Sequence, residues 1–151
     1  MRLILFMLPA LLAACSPSDN MTVHAFRLLP GQDLKQEIQR YAEEHQIEAG
    51  FVQTCVGSLT DWQLRFANQP TRAGGSGHFE IVSLVGTVSV HGSHLHASLS
   101  DSTGRVVGGH LLDGNLVYTT AEIVIGESPG HVFRRAKDGT TPYEELQVET
   151  R

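Results

Sequence analysis

His94 and His96 stand two residues apart in Gly-Ser-His-Leu-His-Ala-Ser-Leu, and His110 closes the segment Val-Val-Gly-Gly-His downstream. Side chains two apart on a strand point to the same face, so the first pair offers two imidazoles to one point. The flanks read as strand, because Leu95, Ala97 and Leu99 alternate with His94, His96 and Ser98 and give one apolar face and one face of nitrogen donors. Three neutral imidazoles suit a divalent metal, zinc first, and also nickel, copper or iron. Such a set leaves at least one coordination position open to water or substrate. The competing reading is a polar, solvent-facing pair in a chain with eight histidines. Spacing alone leaves the two level, and the paired glycines before His110 add weight to the metal.

These residues need elements to position them. Arg105 to Leu112 reads as a second strand, and Asp101-Ser-Thr-Gly104 has the composition of a hairpin turn, which places His110 across from His96 or near it. Earlier, Thr22 to Leu29 reads as a strand that Pro30-Gly31 breaks. Asp33 then makes an N-cap, with Gln36 completing a capping box, and Leu34, Ile38, Tyr41, Ala42 and His45 recur at helical spacing. Lys35, Glu37, Arg40, Glu43 and Glu44 form its solvated face. After Gly50 every element reads as strand: Phe51 to Val56, Trp62 to Phe66, Phe79 to Val90, the two histidine strands, and Leu116 to Ile125. Asp113-Gly114-Asn115 is a hairpin signal between the last two. The Gly-rich stretch Arg72 to Gly77 lacks the Lys-Ser/Thr of a phosphate cradle and reads as a flexible loop. The expected fold is α+β, an antiparallel sheet of about seven strands with one main helix.

Composition bounds the function. The chain has 151 residues, 41% hydrophobic and 18% charged, which suits one domain with a real core. Its net charge is −5, and removal of residues 1–14, which hold the single charge Arg2, makes it −6. Polyanion binding rests on Lys and Arg, and no basic stripe is present. Cys55, inside a hydrophobic run, reads as a small buried apolar residue. The other cysteine is Cys15, and the segment before it carries one positive charge, an apolar run too short to span a bilayer, and small residues. Leu12-Ala13-Ala14-Cys15 resembles the lipobox of bacterial lipoproteins. That resemblance implies a signal segment over residues 1–14, lipidation of Cys15, a short tether over 15–20, and a domain over 21–151 facing the periplasm from an envelope membrane. The alternative is a start at Met21 and a cytoplasmic protein.

Further motifs occur in order: Arg27-Leu-Leu-Pro-Gly-Gln-Asp-Leu34, Gly57-Ser-Leu59, Gly77-His-Phe-Glu-Ile-Val-Ser-Leu84 with Gly86, His94-Leu-His-Ala-Ser-Leu-Ser-Asp101, Gly104-Arg-Val-Val-Gly-Gly-His110 and Ala121-Glu-Ile-Val-Ile125. The series resembles the plants and prokaryotes conserved (PPC) domain from about Met21 to about Leu146, including Phe133-Arg134 and Tyr143-Glu-Glu-Leu146. The resemblance implies a homotrimer of α+β subunits. It also implies a metal site at His94, His96 and His110, which the prokaryotic branch shares and plant members generally lack. Plant members accompany AT-hooks, and bacterial ones are often labelled DNA-binding. This acidic chain has no Arg-Gly-Arg-Pro hook and no basic arm, so DNA is a poor partner for it.

Glu80, Asp101 and Glu122 are the nearest acids by motif, for a bond to an imidazole or for proton transfer. Pairing of Glu80 and Glu122 with Arg27 or with backbone is the leading alternative. His91, an odd number of residues from His94, falls on the opposite face of a continuous strand, although Gly92 could allow a bulge, while His24, His45, His78 and His131 read as surface or packing residues. Trp62 and Phe66 belong to the core or to a subunit contact. A cupin barrel would also use His-x-His, but the order of elements here does not follow it. Three functions compete: a trimeric metal-binding module with no assigned reaction, a metal-dependent hydrolase or lyase acting on a small molecule, and a DNA-binding protein.

Overall fold

A computed structural model describes residues 20–151; the signal segment, Cys15 and the tether up to residue 19 lie outside the described residues. The elements run β1 (Thr22–Leu28), α1 (Leu34–Glu44), β2 (Gly50–Arg65), β3 (Ala73–Ser89), β4 (Gly92–Ser100), β5 (Val106–Leu111), β6 (Leu116–Glu127), β7 (His131–Ala136) and β8 (Glu145–Thr150). All pairings are antiparallel. The main sheet has six strands in the order β1-β6-β2-β3-β4-β5, and β7-β8 form a separate hairpin. One helix against an antiparallel sheet is the α+β architecture expected.

Helix α1 starts where Asp33 caps it: Asp33 Oδ1 accepts from the backbone N–H groups of Lys35 at 3.0 Å and Gln36 at 3.1 Å. The Gln36 side chain makes no return bond, so the box is half formed. The preceding segment is instead tied to β6, with Leu34 N donating to Asn115 O and Val117 N donating to Gln32 O, both at 2.9 Å. Leu34, Ile38 and Ala42 are fully buried against the sheet, and the Tyr41 ring stacks on Phe26 of β1 at 3.9 Å. Residues 24, 26 and 28 of β1 therefore face the helix, and 23, 25 and 27 face away.

The strand signals at Phe51–Val56 and Trp62–Phe66 belong to one 16-residue strand, β2. Register shifts near residues 53, 58 and 60 bend it and interrupt its alternation. The glycine-rich stretch is also strand and not a loop: Ala73, Gly74, Gly75 and Ser76 pair with Leu64, Gln63, Trp62 and Asp61. Its glycines are needed because a Cβ on Gly75 would lie 2.8 Å from the Trp62 ring. Asp113-Gly114-Asn115 does not join paired strands. The chain there crosses β2, leaving β5 on Leu64 and entering β6 opposite Asp61 and Leu59. Asn115, fully buried, holds the crossing: its Oδ1 accepts from Gln63 N at 3.1 Å, and its Nδ2 donates to Gln63 O at 3.2 Å and Leu112 O at 2.5 Å.

Gly86 sits opposite Leu95 in the β3–β4 register, with φ of 139°. A Cβ there would lie 1.9 Å from the backbone O of His94, a position that only hydrogen can fill. Gly86→Ala is expected to cost more than about 2 kcal/mol, read as a drop in the urea midpoint of unfolding, by forcing the histidine strand off its partner.

Candidate metal site and its cavity

His94 and His96 lie on β4 and project on one side of it, while the intervening Leu95 is fully buried. His110 ends the paired stretch of β5, directly opposite His96. The three ring centroids lie 5.0 to 5.5 Å apart, and one donor nitrogen from each lies within 4.8 Å of the others. The Nε2 atoms of His94 and His96 are 3.2 Å apart. Two nitrogens bound to a tetrahedral zinc ion at about 2.0–2.1 Å stand roughly 3.4 Å apart, so this pair is at ligand spacing. The Nδ1 of His110 is buried with no hydrogen-bond partner. Closely spaced nitrogen donors and an orphaned ring nitrogen fit a divalent cation.

Burial pulls the His110 pKa from 6.5 down to about 4, helped by His94 and Arg65 nearby. Burial, then Arg135, lowers His94 as well, and Glu145 opposes them. Both shifts favour the neutral ring, the state in which imidazole binds a metal.

The other histidines make contacts of their own. His91 does not fall away on the opposite face: it sits in the turn before β4, where Gly92 takes φ of 121° and strand alternation is lost, so it lines the same cavity as His94 and His110 while its Nε2 meets the guanidinium of Arg134 at 2.9 Å. His24 bonds Glu127 at 3.0 Å, His45 stacks on Tyr41 at 3.8 Å, His78 packs on Tyr118 at 4.3 Å, and His131 bonds Ser128 at 2.7 Å. Asp101 serves the β4–β5 turn: its Oδ1 accepts from the Thr103 hydroxyl, Thr103 N and Arg105 N at 2.7 to 3.0 Å, and these bonds hold its carboxyl below the usual range. Glu80 and Glu122 are exposed strand residues, Glu80 opposite Ser58 and Glu122 opposite Arg27. Burial pushes the thiol of Cys55 up to about 12, which suits a packed and unreactive side chain. Trp62 and Phe66 pack against the core.

Phe133-Arg134 and Tyr143-Glu-Glu-Leu146 enter the sequence reading only through the family resemblance, with no strand or site role; they form the hairpin β7–β8 and its approach. A cavity of about 310 Å³ beside His94 and His110 is lined by Arg65, Arg135, Tyr143 and Glu145. A second opening, over His94 and His96, shares Arg135 and Glu145 with it. Arg135, on β7, donates to Thr87 Oγ1 at 2.5 Å, and Thr87 pairs with His94 across β3–β4. Only a cross-strand partner links Arg135 to the histidines, so no local spacing signals it. Glu145, with Glu144 beside it, is the acid placed at the site.

The sequence matches the Plants and Prokaryotes Conserved (PCC) domain over residues 15–129. The chain belongs to this family. A hypothetical protein of Salmonella cholerae-suis has the same fold with a TM-score of 0.85 and 38% identity, over 89% of this chain and 98% of that one. A metal-containing protein of Archaeoglobus fulgidus aligns with a TM-score of 0.74 and 26% identity, over 83% of this chain and 93% of that one. A Synechococcus bifunctional protein, GlmU, is 46% identical over 133 residues, 88% of this chain. This PCC chain spans about a fifth of that relative's length, 21%.

Because the unfolded chain protonates histidine near pH 6.5 and the folded one protonates His110 only near 4, the folded state binds fewer protons between these values. Stability of the metal-free protein is then complete above about pH 6.5 and falls as the pH drops toward 4. Urea unfolding at stepped pH should show this decline, and His110→Gln should flatten it.

Proposed function

We propose that this protein is a homotrimeric metal-binding PCC module of the prokaryotic branch, with zinc or a similar divalent ion held by His94, His96 and His110, and that Cys15 anchors it to a bacterial envelope membrane. The observation that carries the metal reading is the meeting of three imidazoles from two paired strands, two of their nitrogens 3.2 Å apart. The metal-containing Archaeoglobus relative supports it. When bound, the ion would supply Lewis acidity toward a small molecule.

The trimer is supported by an uncovered sheet face. Val56, Val82, Val85 and Tyr118, from β2, β3 and β6, are 43–57% exposed. Valines on the helix-free side of a sheet are a surface that association would dry. The lipobox-like segment supports the anchor, and no helix among the described residues is long and apolar enough to cross a membrane. The net charge of −5 disfavours DNA.

A metal-dependent hydrolase or lyase is the second reading, favoured by one observation. Glu145 lines both openings beside His94, which places a proton acceptor beside the open side of the set.

Metal analysis of untagged protein should find one zinc per chain, and His94→Ala or His96→Ala should abolish it. Protein without metal would overturn the metal reading. Light scattering after size exclusion should give three chains, with Val82→Glu shifting the protein to monomer; a stable wild-type monomer would exclude the trimer. Mass spectrometry of the mature N-terminus from native cells should find lipidated Cys15, whereas a chain beginning at Met21 would place the protein in the cytoplasm.

A further inference from the structure

The cavity beside the histidines has two guanidiniums in its walls, Arg65 from the end of β2 and Arg135 from β7. Neither forms an ion pair with a described residue, whereas Arg40, Arg134 and Arg151 all do. Glu145 shares the cavity, but its Oε1 is taken up by the Thr141 hydroxyl at 2.5 Å. Both arginines are held in place. Arg65 lies over the Tyr143 ring, 5.6 Å from its centroid, and Arg135 is fixed through Thr87. Arg135 is partly desolvated, and burial draws its pKa below the ordinary value. The charge of Glu145 bears on Arg135 without an ion pair forming, and a half-buried guanidinium whose fork no carboxylate occupies is a receptor for an anion, because its planar fork matches an oxyanion in two parallel bonds.

We propose that this cavity binds a small organic monocarboxylate, clasped by Arg135 and Arg65 and reaching the metal held by His94, His96 and His110. The proposal rests on the metal reading above and adds the ligand class. Size and charge select it. A space of about 310 Å³ admits a molecule of a few carbons. Glu144 and Glu145 stand on the same wall. They offset the charge of the two guanidiniums, so a phosphate dianion gains little over a carboxylate there while losing more hydration. The free Oε2 of Glu145 can accept from a hydroxyl or amino group on the same ligand, so hydroxy acids are the best fit.

Calorimetric titration of lactate into zinc-loaded, full-length protein tests this, with inorganic phosphate as the parallel titrant. Lactate should bind and phosphate should bind more weakly. Arg135→Met keeps the aliphatic stem and should weaken lactate by about tenfold or more, with zinc affinity unchanged as proof of folding. Arg65→Met, on the other wall, should do the same. Zinc-loaded protein that ignores lactate, prefers phosphate, or binds lactate equally well in both variants would overturn this assignment and leave the metal site standing. Protein that takes up no zinc would overturn both.

Discussion

The closure of β2 onto β5 is the constraint on which the site depends. A six-stranded antiparallel sheet could run open from β1 to β5, but the far end of β2 bends back so that Leu64 pairs with Leu111 and Arg65 with His110. Without that return, His110 would sit at a free edge, and Arg65 would point away from the histidines. Asn115 clamps the return with three hydrogen bonds to Gln63 and Leu112. A buried amide that satisfies three backbone groups is costly to replace, because each loses a partner where water cannot reach. Leu59, Leu64, Leu99 and Leu111 fill the space so enclosed and are fully buried.

Closure also sets the electrostatics. His110, at the seam between β4, β5 and β2, is more deeply shielded than its partners, and burial is the first cause of its lowered pKa. Arg65, brought in by the same pairing, pushes in the same direction. The fold therefore keeps His110 neutral and places guanidiniums beside it. This suits a bound cation only if something anionic balances the arginines. Glu145 supplies part of that balance, and a ligand anion would supply the rest.

The histidines were legible because strand alternation is local: Leu95, Ala97 and Leu99 show which way His94 and His96 must point. The helix was legible for the same reason, from Asp33 and the spacing of Leu34, Ile38 and Ala42. Long-range pairing hid the rest. Asp113-Gly-Asn115 has hairpin composition, yet the strands it joins flank β2, and Asn115 is chosen for that crossing. The glycines before His110 favoured a metal in the sequence. In the structure, Gly109 makes room for β2, since a Cβ there would lie 2.7 Å from Arg65 O. Gly109 thereby serves the closure directly and the site through it. Arg135 and Glu145 lie on a hairpin that no periodicity connects to β4.

The two faces of the sheet then have separate tasks. Residues 24, 26 and 28 of β1 are spent on the helix, whose burial of Leu34, Ile38 and Ala42 closes the core within one chain. The opposite face keeps exposed valines beside strand charges such as Arg27 and Glu122, which lie opposite one another in the β1–β6 register. Charges aligned across strands on an otherwise apolar surface restrict which copies can dock and in what orientation, since misplaced like charges are penalised. Glu80 and Glu122 are better explained by that face than by chemistry at the histidines. The metal-binding side chains share this side of the sheet: Val85 pairs with His96 and lines the opening over His94 and His96, and Thr87 pairs with His94. Association through Val85 would therefore bring a second chain beside the histidines, where the C-terminal hairpin already supplies Arg135 and Glu145.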